Sequence, residues 1–281
     1  MTLPYDAVLL DLDGTLADRH GCVTERTRGV LAALQGRGVR VMLATGRSVG
    51  SARRAVEGMA FNAPAVCYNG AVLCDLERDE WVESRTFSEA QAEALVDAVA
   101  RSSLDLFVYA RDVRYTLPSR HAEHERLVEI LDGVRTVPLP RDLPRLQVNR
   151  LSMMGPDAAA LGAIDAVRRD HGAGVYMEVF PFRIIPGFDG FESRFCDVQP
   201  PCKGKAEGVR YLRDTHGIDP KRMVAIGDQE NDLSMLRAVG LPVAMANASP
   251  EVHAVAKRTA PHHDEEGVAG FLEGLFGLPR S

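Results

Sequence analysis

Short apolar runs that stop abruptly at polar residues recur along this chain, and their spacing sets the first expectation for its fold. Residues 7–10 stop at Asp11, 39–44 at Thr45 and 223–226 at Gly227-Asp228, and 242–245 form a further run. Runs this short, rich in Val and Leu and bounded by turn residues, read as buried strands. Between the first two, residues 24–35 repeat apolar positions at helical spacing, with Thr24 as N-cap and Gly36 and Gly38 as stops. A second helical stretch covers 48–57. A strand over 65–68 then meets the turn signal Asn69-Gly70 and continues into Ala71-Val72-Leu73. Strand, helix and strand with short connections predict parallel pairing.

The same alternation returns near the C-terminus. A helix over 205–215, the strand 223–226, a short helix from Asp232, the strand 242–245 and a helix over 267–276 complete it. We read residues 1–82 and 192–281 as the two parts of one α/β domain. Between them, over 83–191, helical runs at 89–100 and 158–169 alternate with β-rich 106–109, 148–154 and 175–179. Pro138, Pro140 and Pro144 interrupt this section, and Pro181, Pro186, Gly187 and Gly190 mark its exit. An inserted α+β domain is expected there.

Composition narrows the function classes. With 281 residues, 46% hydrophobic and 26% charged, the chain has apolar material for two folded domains. A net charge of -6 without a long Lys/Arg tract argues against a nucleic-acid partner, so any phosphate site must be locally basic. Five scattered cysteines without a C-x-x-C pair point to reduced thiols. The first residues lack a leader pattern, and no stretch approaches the roughly 20 apolar residues of a membrane span. A cytoplasmic protein with no membrane partner is expected, as a monomer or a small homo-oligomer.

In an open parallel sheet, ligands collect beyond the carboxyl ends of the strands. Those ends here are Asp11-Leu12-Asp13-Gly14-Thr15-Leu16, Thr45-Gly46-Arg47 and Gly227-Asp228-Gln229-Glu230-Asn231-Asp232, with Lys203 and Lys205 upstream of the last. Carboxylates from separate strand ends make the hard-oxygen cage that Mg²⁺ prefers, and a hydroxyl and a lysine complete a phosphate grip. Asp11 suits a nucleophile, because a carboxylate forms an acyl-phosphate. Asp13 suits protonation of the leaving alcohol and then activation of water. Each feature alone has a plainer reading. A lone D-x-D-G occurs in turns, and Gly46 alone is a turn residue. Lys205 alone is a solvated helix residue, and His262-His263 an exposed loop. Arg145, Arg150, Arg183 and Arg194 read as surface charges before substrate contacts. The ordered combination is what points to phosphoryl transfer.

These residues resemble the haloacid dehalogenase superfamily, and within it the Cof-type phosphatases of subfamily IIB. Asp11 to Leu16 look like the first motif, Ala44-Thr45-Gly46-Arg47 the second, Cys202-Lys203-Gly204 the third and Gly227 to Asp232 the fourth. Asn69-Gly70-Ala71, Asn247-Ala248 and Glu266-Gly267-Val268 also match. The resemblance implies a Rossmann-like core with an inserted α+β cap that closes over it and excludes water. It implies Mg²⁺ held by the Asp11 carboxylate, the Asp13 carbonyl and Asp228, with Asp232 in support. Thr45 would hydrogen-bond the phosphoryl group, Lys203 would neutralise its charge and that of Asp11, and Asn231 would help place its oxygens. Gly46 and Arg47 would lie near the substrate. The sequence departs from the pattern at Cys202, where the family has Ser, and at Lys205, a second lysine. It departs also at Ala246 and in a long run over 180–201 suited to a hairpin or a specificity loop.

The leading expectation is a Mg²⁺-dependent phosphatase acting on a small phosphorylated metabolite, foremost a sugar phosphate. A sugar-phosphate phosphomutase or phosphotransferase shares the same first motif and differs only in the acceptor. A non-catalytic phosphosugar-binding protein would be expected to lack part of the set that Asp11, Asp13, Thr45, Lys203 and Asp228 form.

Overall fold

In a computed structural model of the chain, residues 3–102, 104–119, 121, 125, 127, 128, 133–171, 174–181 and 193–279 are described. The run Ala7–Leu10 is a strand, β1, with all four side chains fully buried, as a central parallel strand requires. It pairs in parallel with β2 (Arg40–Leu43) on one side and with β12 (Met223–Gly227) on the other. Beyond β12, β13 (Leu241–Met245) and β14 (Arg258–Ala260) add in parallel, giving a five-stranded sheet in the order β14-β13-β12-β1-β2. The winding direction reverses between β1 and β12. That is the point where an open α/β sheet leaves a crevice at its carboxyl ends, and both strands end there in aspartates.

Local signals explain the connecting helices. Thr24 caps Glu25–Gly36 by accepting from the Thr27 amide, and Ser48 caps Val49–Ala55 by accepting from Ser51. Ala206–His216 stops at Gly217 in the left-handed region that glycine adopts without cost. A small sheet of β3 (Ala65–Cys67), β4 (Val72–Asp75) and β5 (Glu80–Ser84) begins where a parallel bridge joins Ala44 to Val66. Met42, Leu9, Val66 and Val209 lie in one buried cluster with Leu212 and Ala225.

The inserted unit has its own six-stranded sheet. Its strands are β6 (Asp105–Ala110), β7 (Val113–Thr116), β8 (Val134–Thr136), β9 (Val148–Pro156), β10 (Tyr176–Pro181) and β11 (Ser193–Gln199), in the order β10-β11-β9-β6-β7-β8. Its helices include Glu89–Ala100, which Ser88 and Gln91 start as a capping box, and Asp157–His171. Leu95, Val99, Leu106, Val108, Leu151 and Val198 belong to a single apolar cluster in this unit.

The chain divides into one unit of Met1–Glu83 with Lys203–Ser281 and a second of Ser84–Cys202. The expected return to the core at 192 is therefore corrected to Lys203. The reason is β11, which pairs antiparallel with both β10 and β9 and so belongs to the inserted sheet. Its polar residues disguised it. Asp197 is buried but paired, accepting from Arg150 Nη1 at 3.1 Å and Ser152 Oγ at 2.5 Å. Arg150 is thus part of a buried ion pair, with its guanidinium 4.1 Å from the centre of the Tyr109 ring. Arg145 donates to the Leu143 and Pro140 carbonyls and closes its own loop. Arg183, Pro186, Gly187 and Gly190 lie outside the described residues.

Candidate active site

Asp11 is the first residue beyond β1, and its amide donates to the Ile226 carbonyl at 3.0 Å, extending the β1–β12 ladder by one rung. The chain then turns tightly. The amides of Thr15, Leu16 and Ala17 all reach the Leu12 carbonyl, and Leu12 itself is buried in the core. Gly14 sits at φ +74°, and a Cβ there would lie 2.3 Å from Asp228 Oδ2. The glycine is therefore what lets the β1 turn and the β12 end approach. Thr15 Oγ1 donates to Asp228 Oδ1 at 3.0 Å, Gln229 Nε2 donates to Asp228 Oδ2, and Asn247 Nδ2 holds the Gly14 carbonyl at 2.8 Å.

Asp11, Asp228 and Asp232 bring their carboxylate oxygens within 4.8 Å of one another, all buried. Asp232 is fully engaged. Its Oδ2 accepts from the Asp228 and Gln229 amides, and its Oδ1 accepts from Lys205 Nζ at 2.6 Å. The same ammonium donates to Asp11 Oδ1 at 2.6 Å, with no exposed side-chain surface. Burial lowers a lysine's pKa, but Asp11 and Asp232 outweigh it and hold Lys205 above its ordinary value. Lys203, expected at this place, is exposed, and its amide donates to Glu207 Oε1 at 2.9 Å. The lysine that the structure brings to Asp11 and Asp232 is therefore Lys205, where Lys203 was expected.

One ammonium among three buried carboxylates leaves negative charge uncompensated. Burial first, and then the neighbouring Asp232, push Asp228 up to about 6 and Asp11 well above the usual carboxylate range. Crowded, desolvated, hard oxygens with raised proton affinity are the donor set that a divalent cation satisfies. The residues present therefore fit Mg²⁺. Replacing Gly14 with Ala should displace the Asp228 carboxylate. Calorimetry should then show Mg²⁺ binding weakened about tenfold or more, of the order expected when a supporting group of a metal site is disturbed. Unchanged affinity would remove the Gly14–Asp228 contact from the account.

The second strand end supplies a different wall. Thr45 is buried, its amide bonded to the Val66 carbonyl, and its Oγ1 accepts from the Arg47 amide at 3.1 Å. Arg47 reaches across to Asp13 as a two-pronged clamp, Nε to Oδ2 at 2.9 Å and Nη2 to Oδ1 at 2.5 Å. Asp13 is the exposed member of the set, with 57% of its side chain accessible. Asn231 Nδ2 donates to Asn69 Oδ1 at 3.2 Å, and Asn231 Oδ1 is buried with no partner among the described residues. Gly46 is packed so close to Asn69 that a Cβ would meet the carboxamide at 2.9 Å. Thr15, Asn69 and Asn247 fall within stretches that match the family, but the sequence alone assigned them no role. His263 lies against the Ala17 carbonyl at 2.9 Å, and none of the five cysteines is in a disulfide.

Comparison with known proteins gives the family. The family model of haloacid dehalogenase-like hydrolases matches residues 8–272. A phosphoglycolate phosphatase of Methanopyrus kandleri is 30% identical over 96% of this chain and 96% of its own. A 5-amino-6-(5-phospho-D-ribitylamino)uracil phosphatase of Bacillus subtilis is 26% identical over 99% of each chain. The solved structure of a subclass IIB sugar phosphatase shares the fold, with a TM-score of 0.74 at 18% identity, covering 98% of this chain and 100% of that one. The family match over residues 8–272, on a chain whose sheet ends in clustered aspartates beside a buried lysine, makes this chain a member of the haloacid dehalogenase-like hydrolases.

Proposed function

We propose that the enzyme is a Mg²⁺-dependent phosphatase that hydrolyses a small phosphorylated metabolite, foremost a sugar phosphate, through an aspartyl-phosphate on Asp11. The observation that carries this reading is the juxtaposition of Asp11, Asp228 and Asp232 around Lys205 at the sheet's switch point. Relatives whose names specify phosphoglycolate and a phosphorylated ribityl compound support a small, polar phosphate ester as the substrate class.

In this reading an Asp11 carboxylate oxygen attacks phosphorus, the ester oxygen leaves, and Asp13 gives it a proton, releasing the alcohol. Asp13 then takes a proton from water, whose oxygen attacks the acyl-phosphate, freeing inorganic phosphate and restoring Asp11. Asp11, the Asp13 carbonyl and Asp228 would hold Mg²⁺, which neutralises charge on the phosphoryl group when bound. Lys205 supplies a fixed positive charge at Asp11, Thr45 offers a hydroxyl, and Asn231 offers its second Nδ2 hydrogen. Arg47 pairs with both Asp13 oxygens in the free enzyme, so Asp13 carries the proton once that pair has opened. Most of the acceleration would come from groups already in place before the substrate arrives.

Phosphate release from a panel of sugar phosphates, phosphoglycolate and pyridoxal phosphate tests the reading. Release is expected with Mg²⁺, loss with EDTA, and recovery when Mg²⁺ is restored. Release that EDTA leaves untouched would overturn the metal assignment. Isomerised sugar phosphate appearing faster than free phosphate would replace the phosphatase by a phosphomutase.

A further inference from the structure

Three successive residues after β3 adopt left-handed backbone: Tyr68 at φ 50°, Asn69 at φ 47° and Gly70 at φ 106°. All three are buried. A tyrosine and an asparagine in that region carry steric strain that surrounding structure must hold, and such strain collects at functional sites. The contacts of this turn show what it does. The Tyr68 amide donates to the Arg47 carbonyl at 2.9 Å and the Asn69 amide to the Thr45 carbonyl at 3.1 Å, so the turn grips the 45–47 loop from its backbone side. The Asn69 carboxamide fills the space that a side chain at Gly46 would need. Gly70 lies against the Gly204 carbonyl, where a Cβ would come within 2.3 Å, next to Lys205. Asn69 Oδ1 accepts from Asn231 Nδ2.

We infer that Asn69 is a positioning residue of the reaction: its carboxamide fixes the plane of Asn231. The inference rests on the phosphatase reading for its consequence and on geometry for its mechanism. Nδ2 of Asn231 carries two hydrogens. The bond to Asn69 takes one and thereby sets the direction of the other, which is the one available to a phosphoryl oxygen. The asparagine side chain is the part that matters here, because glycine would hold the same backbone without strain.

Asn69→Gly, Asn231→Ala and the double variant, each measured with Mg²⁺, test the inference. Asn69→Gly should keep its melting temperature within a few degrees of the parent. It should lose about 10²-fold in kcat/KM, mostly in kcat, the scale of a small misplacement of a binding group. In the Asn231→Ala background the same substitution should cost little more, because residues that act through each other are not additive. Losses that multiply, or a change confined to melting, would overturn the inference. Inorganic phosphate binding provides a readout that needs no turnover. Should the parent release no phosphate from any ester, the phosphatase reading falls, and phosphate affinity alone decides this inference. Weakening by the same factor in both single variants and no further in the double supports it. Equal affinity in parent and Asn69→Gly, or no binding to the parent, overturns it.

Discussion

Asp11→Asn is expected to abolish turnover while leaving the fold intact. The loss should be about 10⁴-fold or more, the scale seen when a nucleophile is removed from a covalent mechanism. The carboxamide has the same shape but no oxygen able to form an acyl-phosphate. Stability should change little, because two effects oppose each other. Asp11 is buried among like charges that already push its carboxyl toward the neutral form, so a neutral group relieves repulsion from Asp232 and Asp228. Against this, Lys205 exchanges a carboxylate partner for an amide oxygen while keeping Asp232. The checks are steady-state phosphate release, far-UV circular dichroism and trapping of the phosphorylated carboxyl in the parent with a hydride donor. A variant that still turns over at a tenth of the parent rate would move the nucleophile elsewhere.

How much of this was legible in the sequence differs by residue, for physical reasons. β1 was readable because a central parallel strand is apolar on both faces, and its end was readable because Asp11 breaks the run. The helices Glu89–Ala100 and Gly267–Phe276 were readable to the residue, since a cap and an apolar stripe are local properties. β5 was missed because this edge strand buries none of its residues, so it leaves no apolar run to read. The hairpin expected over 180–201 has its second strand in β11, but β11 was assigned to the core because its inward polar groups find partners on β9, a neighbour invisible to any local pattern. The clustering of Asp11 with Asp228 and Asp232 was foreshadowed by where β1 and β12 stop, which is a local property of the sequence. Asn69 did need it: the dipeptide Asn69-Gly70 reads as a turn, but the loops that the turn braces come together only in three dimensions. The choice between two lysines with one glycine between them was of the same kind.

Replacing each lysine with methionine separates them. Lys205→Met keeps volume and removes the one cation shared by Asp11 and Asp232, both of them buried. Breaking a buried pair leaves the carboxylates uncompensated, which costs about 3–5 kcal/mol. Urea unfolding in EDTA should show that loss. Saturating Mg²⁺ should recover part of it, since a ligand held only by the native state stabilises that state. Turnover should fall far more than stability suggests, because the ammonium at Asp11 is also what offsets the charge of an incoming phosphate. Lys203→Met removes an exposed charge whose side chain is not bonded to the site, and such changes usually stay within about 0.5 kcal/mol. Its turnover should stay within about twofold of the parent on the same grounds. The opposite outcome, a silent Lys205→Met and an inactive Lys203→Met, would mean that the 203–205 loop turns over during catalysis. The left-handed Gly204 would then be its hinge. The packing of Gly70 against the Gly204 carbonyl argues against such a rearrangement, because rotation there would disturb that packing.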